Sequence, residues 1–161
     1  MTIQFSITNW CGWVQSDSKN IHSDDTFLKM TPTPDVSFVP PLLRRRLNLL
    51  GRAAASQMAQ LLNSDANIPV VYCSRHGDIE RTLAILVELA DNEPVSPMHF
   101  SLSVHNAVAG MISIQHKLTA NISSIASGDE PLIPGLLEGL GMLSPTCPEV
   151  LCLFADVPLP H

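Results

Sequence analysis

Asp129 stands in the run Ser127-Gly128-Asp129-Glu130, between a short apolar stretch that reads as a strand and a Leu- and Gly-rich stretch that reads as a helix. A strand–turn–helix unit presents the residue at the helix start to unpaired backbone N–H groups and to the positive end of the helix dipole. A cysteine at that point ionises readily and attacks electrophiles. An aspartate there is a weak base and a weak nucleophile, and its simplest use is to cap the helix through its carboxylate. Pro131 suits a first turn, because its missing N–H has no partner there. Pro134, a turn deeper, leaves the position of the cap open.

A second candidate lies in Cys73-Ser74-Arg75-His76-Gly77-Asp78. Cys73 and His76 could form a nucleophile–base pair. The competing reading is a buried, inert thiol at a strand end, with Arg75 and His76 in the loop that follows. His105 reads as a satisfied core or interface histidine. Cys11, Cys73, Cys147 and Cys152 form no CxxC pair and have no histidine at metal-ligand spacing, so no metal site is expected. Gly135-Leu136-Leu137-Glu138-Gly139-Leu140-Gly141 falls within a helical stretch rather than after a strand, which argues against a phosphate-cradling loop. No cofactor is expected. Trp10, Cys11 and Trp13 read as a packing knot.

The elements that must position these residues follow from periodicity. Apolar alternation or short β-branched runs predict strands over 3–7, 67–74, 122–127 and 149–154. A stripe of Leu43, Leu47, Leu50, Ala54, Met58 and Leu61 predicts an amphipathic helix over about 42–63. Ile79, Leu83, Ile85, Leu86 and Leu89 predict a second over 77–90. Residues 92–100 read as an extended loop, 101–118 as a helix of small side chains, and 130–141 as the helix after Asp129. The polar, Pro-punctuated stretch of about 14–40 reads as a long surface loop. Strands alternating with helices give an α/β fold, expected to layer helices around a mixed sheet in one domain over 1–161.

The 161 residues are 45% hydrophobic and 15% charged, with a formal net charge of −6. The mean hydropathy of +0.19 is high for a small chain without an apolar run of membrane-span length. That surplus predicts a face covered by a partner. The acidic balance excludes a nucleic-acid binder, whose affinity rests on cations at phosphates; only Arg44-Arg45-Arg46 is locally basic. Four unpaired thiols and no secretory leader at Met1 suit a cytoplasmic protein.

Residues 96–129 resemble the ketosynthase segment of the thiolase-like superfamily. The resemblance rests on Ser96-Pro97, Val104, Asn106, Ala109-Gly110, Ile112 and Ile114 ahead of a strand that leads to Asp129. Residues 149–158 resemble the strand after the nucleophile helix. Residues 40–54 resemble an Arg-rich helix in the β-ketoacyl-synthase-like subunits of aryl polyene clusters. The likeness extends over about 36–157 and more loosely over 1–35.

It implies an N-terminal half of a thiolase-like fold, with Asp129 where the family has its catalytic cysteine. The family's catalytic histidines lie in the second half of the duplicated fold, beyond the part that this chain resembles. Ketosynthase relatives without the cysteine are chain length factors. The implied role is thus a non-catalytic subunit that pairs with an active ketosynthase and meets acyl carrier protein through that complex. The resemblance assigns Met98, His99, Phe100 and Val104 to the partner's acyl tunnel. It assigns Asn106, Ala107, Gly110, Asn121, Ile122, Ser123, Ser124 and Ile125 to the dimer interface. An independent acyl-transfer enzyme using Cys73 and His76 is the alternative. The acyl chain and its length are not legible in the sequence.

Overall fold

The structure, a computed structural model, describes residues 4–15, 27–63 and 66–159. Its elements in chain order are β1 Gly12–Gln15, β2 Leu28–Thr31, α1 Pro41–Arg44, α2 Leu49–Leu61, β3 Val70–Cys73 and α3 Ile79–Ala90. They continue with α4 Pro97–Ser103, α5 Ala107–His116, β4 Ile122–Ile125, α6 Leu132–Met142 and β5 Leu151–Phe154. The main sheet has the order β4-β3-β5. Both pairings are parallel, with Val70 opposite Ile122 on one side and Leu151 on the other. The mixed sheet expected from the sequence is therefore parallel throughout its described strands.

Alternation of side chains along β3 and β5 sorts the molecule into layers. Val70, Tyr72, Leu151 and Leu153 join Ala54, Met58, Val108 and Ile112 in the core between the sheet and helices α2 and α5. Cys73, Cys152 and Phe154 turn to the opposite face, where α6 packs on β3 and β5. All four residues of β3 are buried, as a strand covered on both faces must be. Gly135 and Gly139 bring α6 down onto this layer. A Cβ at Gly135 would lie 2.5 Å from Cys73 Sγ and 2.6 Å from Phe154 Cε1, and one at Gly139 would lie 2.8 Å from Cys152 Sγ.

Several expected boundaries move. Residues 4–7 of the expected first strand are irregular and exposed, and Ile3 lies outside the described residues. Alternation alone makes no strand where no neighbour offers hydrogen bonds. Instead β1 and β2 pair parallel from Gly12–Leu28 to Gln15–Thr31, β1 overlapping the start of the expected long loop and β2 lying inside it.

The helix expected over 42–63 is broken, because Asn48 starts a new one by accepting a 3.0 Å hydrogen bond from the Gly51 N–H. Residues 97–100, expected to be extended, are helical, with Ser96 Oγ accepting from the His99 N–H at 3.4 Å. The small-residue helix begins at Ala107, after a separate α4. On α3 only Ile85 is buried, so the stripe expected to pack inward leaves Leu83, Leu86 and Leu89 in solvent.

Candidate functional site at the carboxyl ends of the strands

Because β3, β4 and β5 run parallel, the segments that follow them emerge on one side of the sheet. Ligands of open α/β sheets bind on that side. Three charged residues meet there: Arg75 after β3, Asp129 after β4 and Asp156 after β5. Arg75 Nη1 lies 3.5 Å from Asp129 Oδ1, and its Nε lies 3.5 Å from Asp156 Oδ2. Asp156 Oδ1 also accepts from the Ser74 hydroxyl at 3.1 Å and from the Arg75 N–H at 2.8 Å. The fully buried Ser74 accepts in turn from the Gly77 N–H at 2.9 Å. Its carbonyl oxygen lies 2.8 Å from His105 Nε2, so that ring nitrogen carries the proton and donates. Gly77 has φ +60°, with His105 Cα only 3.4 Å from where a Cβ would stand, and this turn needs glycine on both counts.

Asp129 follows Gly128, itself at φ +70°. Its side chain is 95% exposed and caps nothing. The α6 N-cap is Pro131, without a side-chain bond, which corrects the cap expected from the sequence. Pro131 and Pro134 together move the helix start to Leu132, where Pro134 sits among the first residues whose N–H groups have no helical partner. Asp129 is thereby left two positions before the cap, and among the described residues its carboxylate pairs with Arg75.

Cys73 and His76 do not form a pair. Cys73 is fully buried beneath Gly135, and burial, with Cys152 alongside, pushes its thiol up to about 11. His76 is exposed, and among the described residues no hydrogen bond joins the two. A nucleophilic thiol requires the opposite environment, exposed and electropositive.

Met98, His99 and Phe100 lie on α4, with Met98 56% and Phe100 60% exposed. His99 Nδ1 approaches Glu88 Oε1 at 4.0 Å. Val104 follows the helix and is exposed. On and before α5, Asn106 and Gly110 are exposed while Ala107 is half-buried, and no atom lies within 4 Å of a Cβ built at Gly110. Asn121 leads into β4, whose residues Ile122, Ser123, Ser124 and Ile125 are half-buried at the edge of the described sheet. The Asn121 and Ile125 carbonyls accept from β3, so the backbone groups of Ile122 and Ser124 face outward.

Sequence reasoning missed the bracket of Ser74, Arg75 and Asp156, because its members lie about eighty positions apart. It also missed Asp78, a 3% exposed carboxylate that accepts from the Arg81 N–H at 3.1 Å and pairs with the Arg81 guanidinium at 3.1 Å. There a signal was available: an acidic residue three before a cation, at the start of an apolar periodic run. Elsewhere, a cleft of about 430 Å³ runs between β1, α2 and the residues of and after β5. Among the described residues no cluster of His, Cys, Asp and Glu could hold a metal ion, and no helix is long and apolar enough to cross a membrane.

The model of the beta-ketoacyl synthase N-terminal domain matches residues 10–161. A chain of the solved structure of the ketosynthase ApeO in complex with its chain length factor ApeC, from Xenorhabdus doucetiae, is similar. It is 36% identical with a TM-score of 0.64, covering 73% of this chain and 49% of that one. The present chain thus spans about half the length of that relative. No curated protein matches it.

Proposed function

From the premise that the chain belongs to the beta-ketoacyl synthase N-terminal domain family, with its thiolase-like α/β fold, we propose that it is a chain-length-factor-like subunit. In this reading it is catalytically silent. It pairs with an active ketosynthase and helps to shape the tunnel for the growing acyl chain in aryl polyene synthesis. Its whole described body acts as a single thiolase-like N-terminal-half domain in the cytoplasm, and acyl carrier protein reaches it through the complex.

The observation that carries this reading is the chemistry at Asp129. Condensation on a thioester needs a thiolate that accepts the acyl group and donors for the developing oxyanion. At the position that resembles the family's nucleophile stands an exposed carboxylate paired with Arg75, and the thiol on the neighbouring strand, Cys73, is sealed under α6. The similar solved complex joins a ketosynthase to a chain length factor, which supports the same arrangement here. The apolar exposure of α4 and the open edge of β4 suit a covered surface, and an obligate interface of this kind buries more than ~2,000 Å² in total.

Co-expression with a tagged ketosynthase that retains its cysteine tests the proposal. The two chains co-elute as a heterodimer, and the isolated chain gains no mass on incubation with acyl thioesters. A well-behaved monomer that ignores the ketosynthase overturns the reading, as does an acyl adduct that disappears in Cys73→Ala. In the reconstituted pair, Met98→Trp narrows the tunnel and shortens the product. His99→Ala and Phe100→Ala give equal or longer products by chromatography. Unchanged profiles in all three, with the heterodimer intact, remove α4 from the tunnel.

A further inference from the structure

Two sheet edges meet at one cleft above α2. In the main sheet β5 is an edge, and β1 pairs with β2 alone among the described strands. Helix α2 packs against both β1 and β5, and the cleft of about 430 Å³ lies between them. The Leu151 and Ala155 N–H groups donate to β3, so the backbone groups of Cys152 and Phe154 point away from it. The Gly12 N–H donates to Phe27 O, so those of Trp13 and Gln15 point away from β2. All four of these residues line the cleft.

Leu50, Ala54 and Met58 of α2, with Leu151 and Leu153 of β5, give the cleft an apolar floor that Gln57 interrupts. Gln57 is 8% exposed, and neither Oε1 nor Nε2 of its amide has a hydrogen-bond partner among the described residues. A buried amide left unpaired is costly. What it lacks is one donor and one acceptor, the pair that a peptide group carries. The chain itself contains a segment of matching pattern. Residues 4–8, Gln-Phe-Ser-Ile-Thr, alternate polar and apolar as a half-buried strand does, yet Phe5 is 49% and Ile7 68% exposed. No turn or bend interrupts residues 4–11 and none of them has a positive φ, so the segment runs on from β1 without doubling back. A hairpin into its own cleft needs a tight turn, for which Asn9, Trp10 and Cys11 supply no glycine. Trp10, its ring 5.2 Å from that of Phe27, fixes the point of departure.

We propose that residues 4–8 of a second copy of this chain fill the cleft as one strand, bonded to β5 on one side and to β1 on the other, and that the exchange is reciprocal. Phe5 and Ile7 cover the apolar floor, and Gln57 meets a peptide group of the incoming strand. Exchange of identical segments closes a two-fold dimer, and it leaves neither of these edges open to recruit further chains. The surface lies apart from α4, α5 and β4, which are assigned to the ketosynthase, so it stands or falls separately from that pairing.

The test uses the full chain without the ketosynthase, followed by light scattering after size-exclusion chromatography and by hydrogen–deuterium exchange. The wild type is expected to be a dimer in which the amides of Cys152 and Phe154 exchange slowly. Phe5→Asp with Ile7→Asp raises the dimer dissociation constant by at least about tenfold and speeds exchange at those two amides by at least about tenfold. Ala53→Trp, which places an indole in the cleft from α2, does the same from the other side of the contact. Both variants keep the circular dichroism of the wild type, and an excess of a synthetic peptide of residues 4–10 restores slow exchange in the Phe5/Ile7 variant. A monomeric wild type overturns the proposal. So does a dimer that survives both variants, or slow exchange of Cys152 and Phe154 in a variant that has become monomeric.

Discussion

At the scale of single residues, the contrast between Cys73 and Asp129 decides the chemistry. The buried thiol, raised to about 11 by burial, holds on the order of one thiolate in a thousand at pH 8. Iodoacetamide at that pH therefore labels the partly exposed Cys147 well before Cys73, as peptide mass spectrometry of the native chain will show. The same shift makes a prediction about stability. The unfolded chain loses this proton near the ordinary thiol pKa of 9, before the folded chain does. Its contribution is intact below pH 9 and is lost as pH rises toward about 11. The urea midpoint falls across that window, by less in Cys73→Val than in the wild type. Asp129 behaves oppositely: 95% exposed and capping nothing, it can be replaced by alanine with no measurable change in urea midpoint.

At the scale of elements, two glycines on helices separate folding from assembly. Gly135→Ala drives a methyl group into Cys73 Sγ and Phe154 and costs about 1–3 kcal/mol by overpacking, read as a lower melting temperature of the chain alone. At Gly110, which is exposed, an added Cβ meets nothing within 4 Å, so Gly110→Leu leaves the chain's melting temperature in place, while co-elution with a ketosynthase is lost if α5 forms the interface. The same elements set the limits of sequence reading. β3, β5 and the stripe of α2 were legible because local periodicity and burial agree there. Breaks at Asn48 and Val104 were not, because an Asn cap inside an apolar stripe leaves the 3.6-residue pattern intact. The α3 stripe was legible as a helix but not as an exposed one, since periodicity records an apolar face without saying what covers it. Asp129 was placed correctly in a turn and wrongly as a cap, because the helix starts at Leu132, two positions later than expected.

At the scale of the whole molecule, apolar side chains of α3, α4 and α6 remain in solvent on a chain whose charge vanishes near pH 5.3. With so little net charge to keep copies apart, the isolated chain should precipitate as the pH approaches 5.3 and redissolve above pH 7. Light scattering of the heterodimer over the same range should show a smaller rise, since pairing covers part of that surface. The parallel sheet also has a kinetic consequence. β3 is its central strand, yet its pairing with β5 joins Val70 to Leu151. A ribosome adding roughly 5–20 residues each second needs about 4–16 s to pass from one to the other. For that interval the most deeply buried of the described strands has been made and its second neighbour has not, so one edge of β3 stays unpaired on the nascent chain.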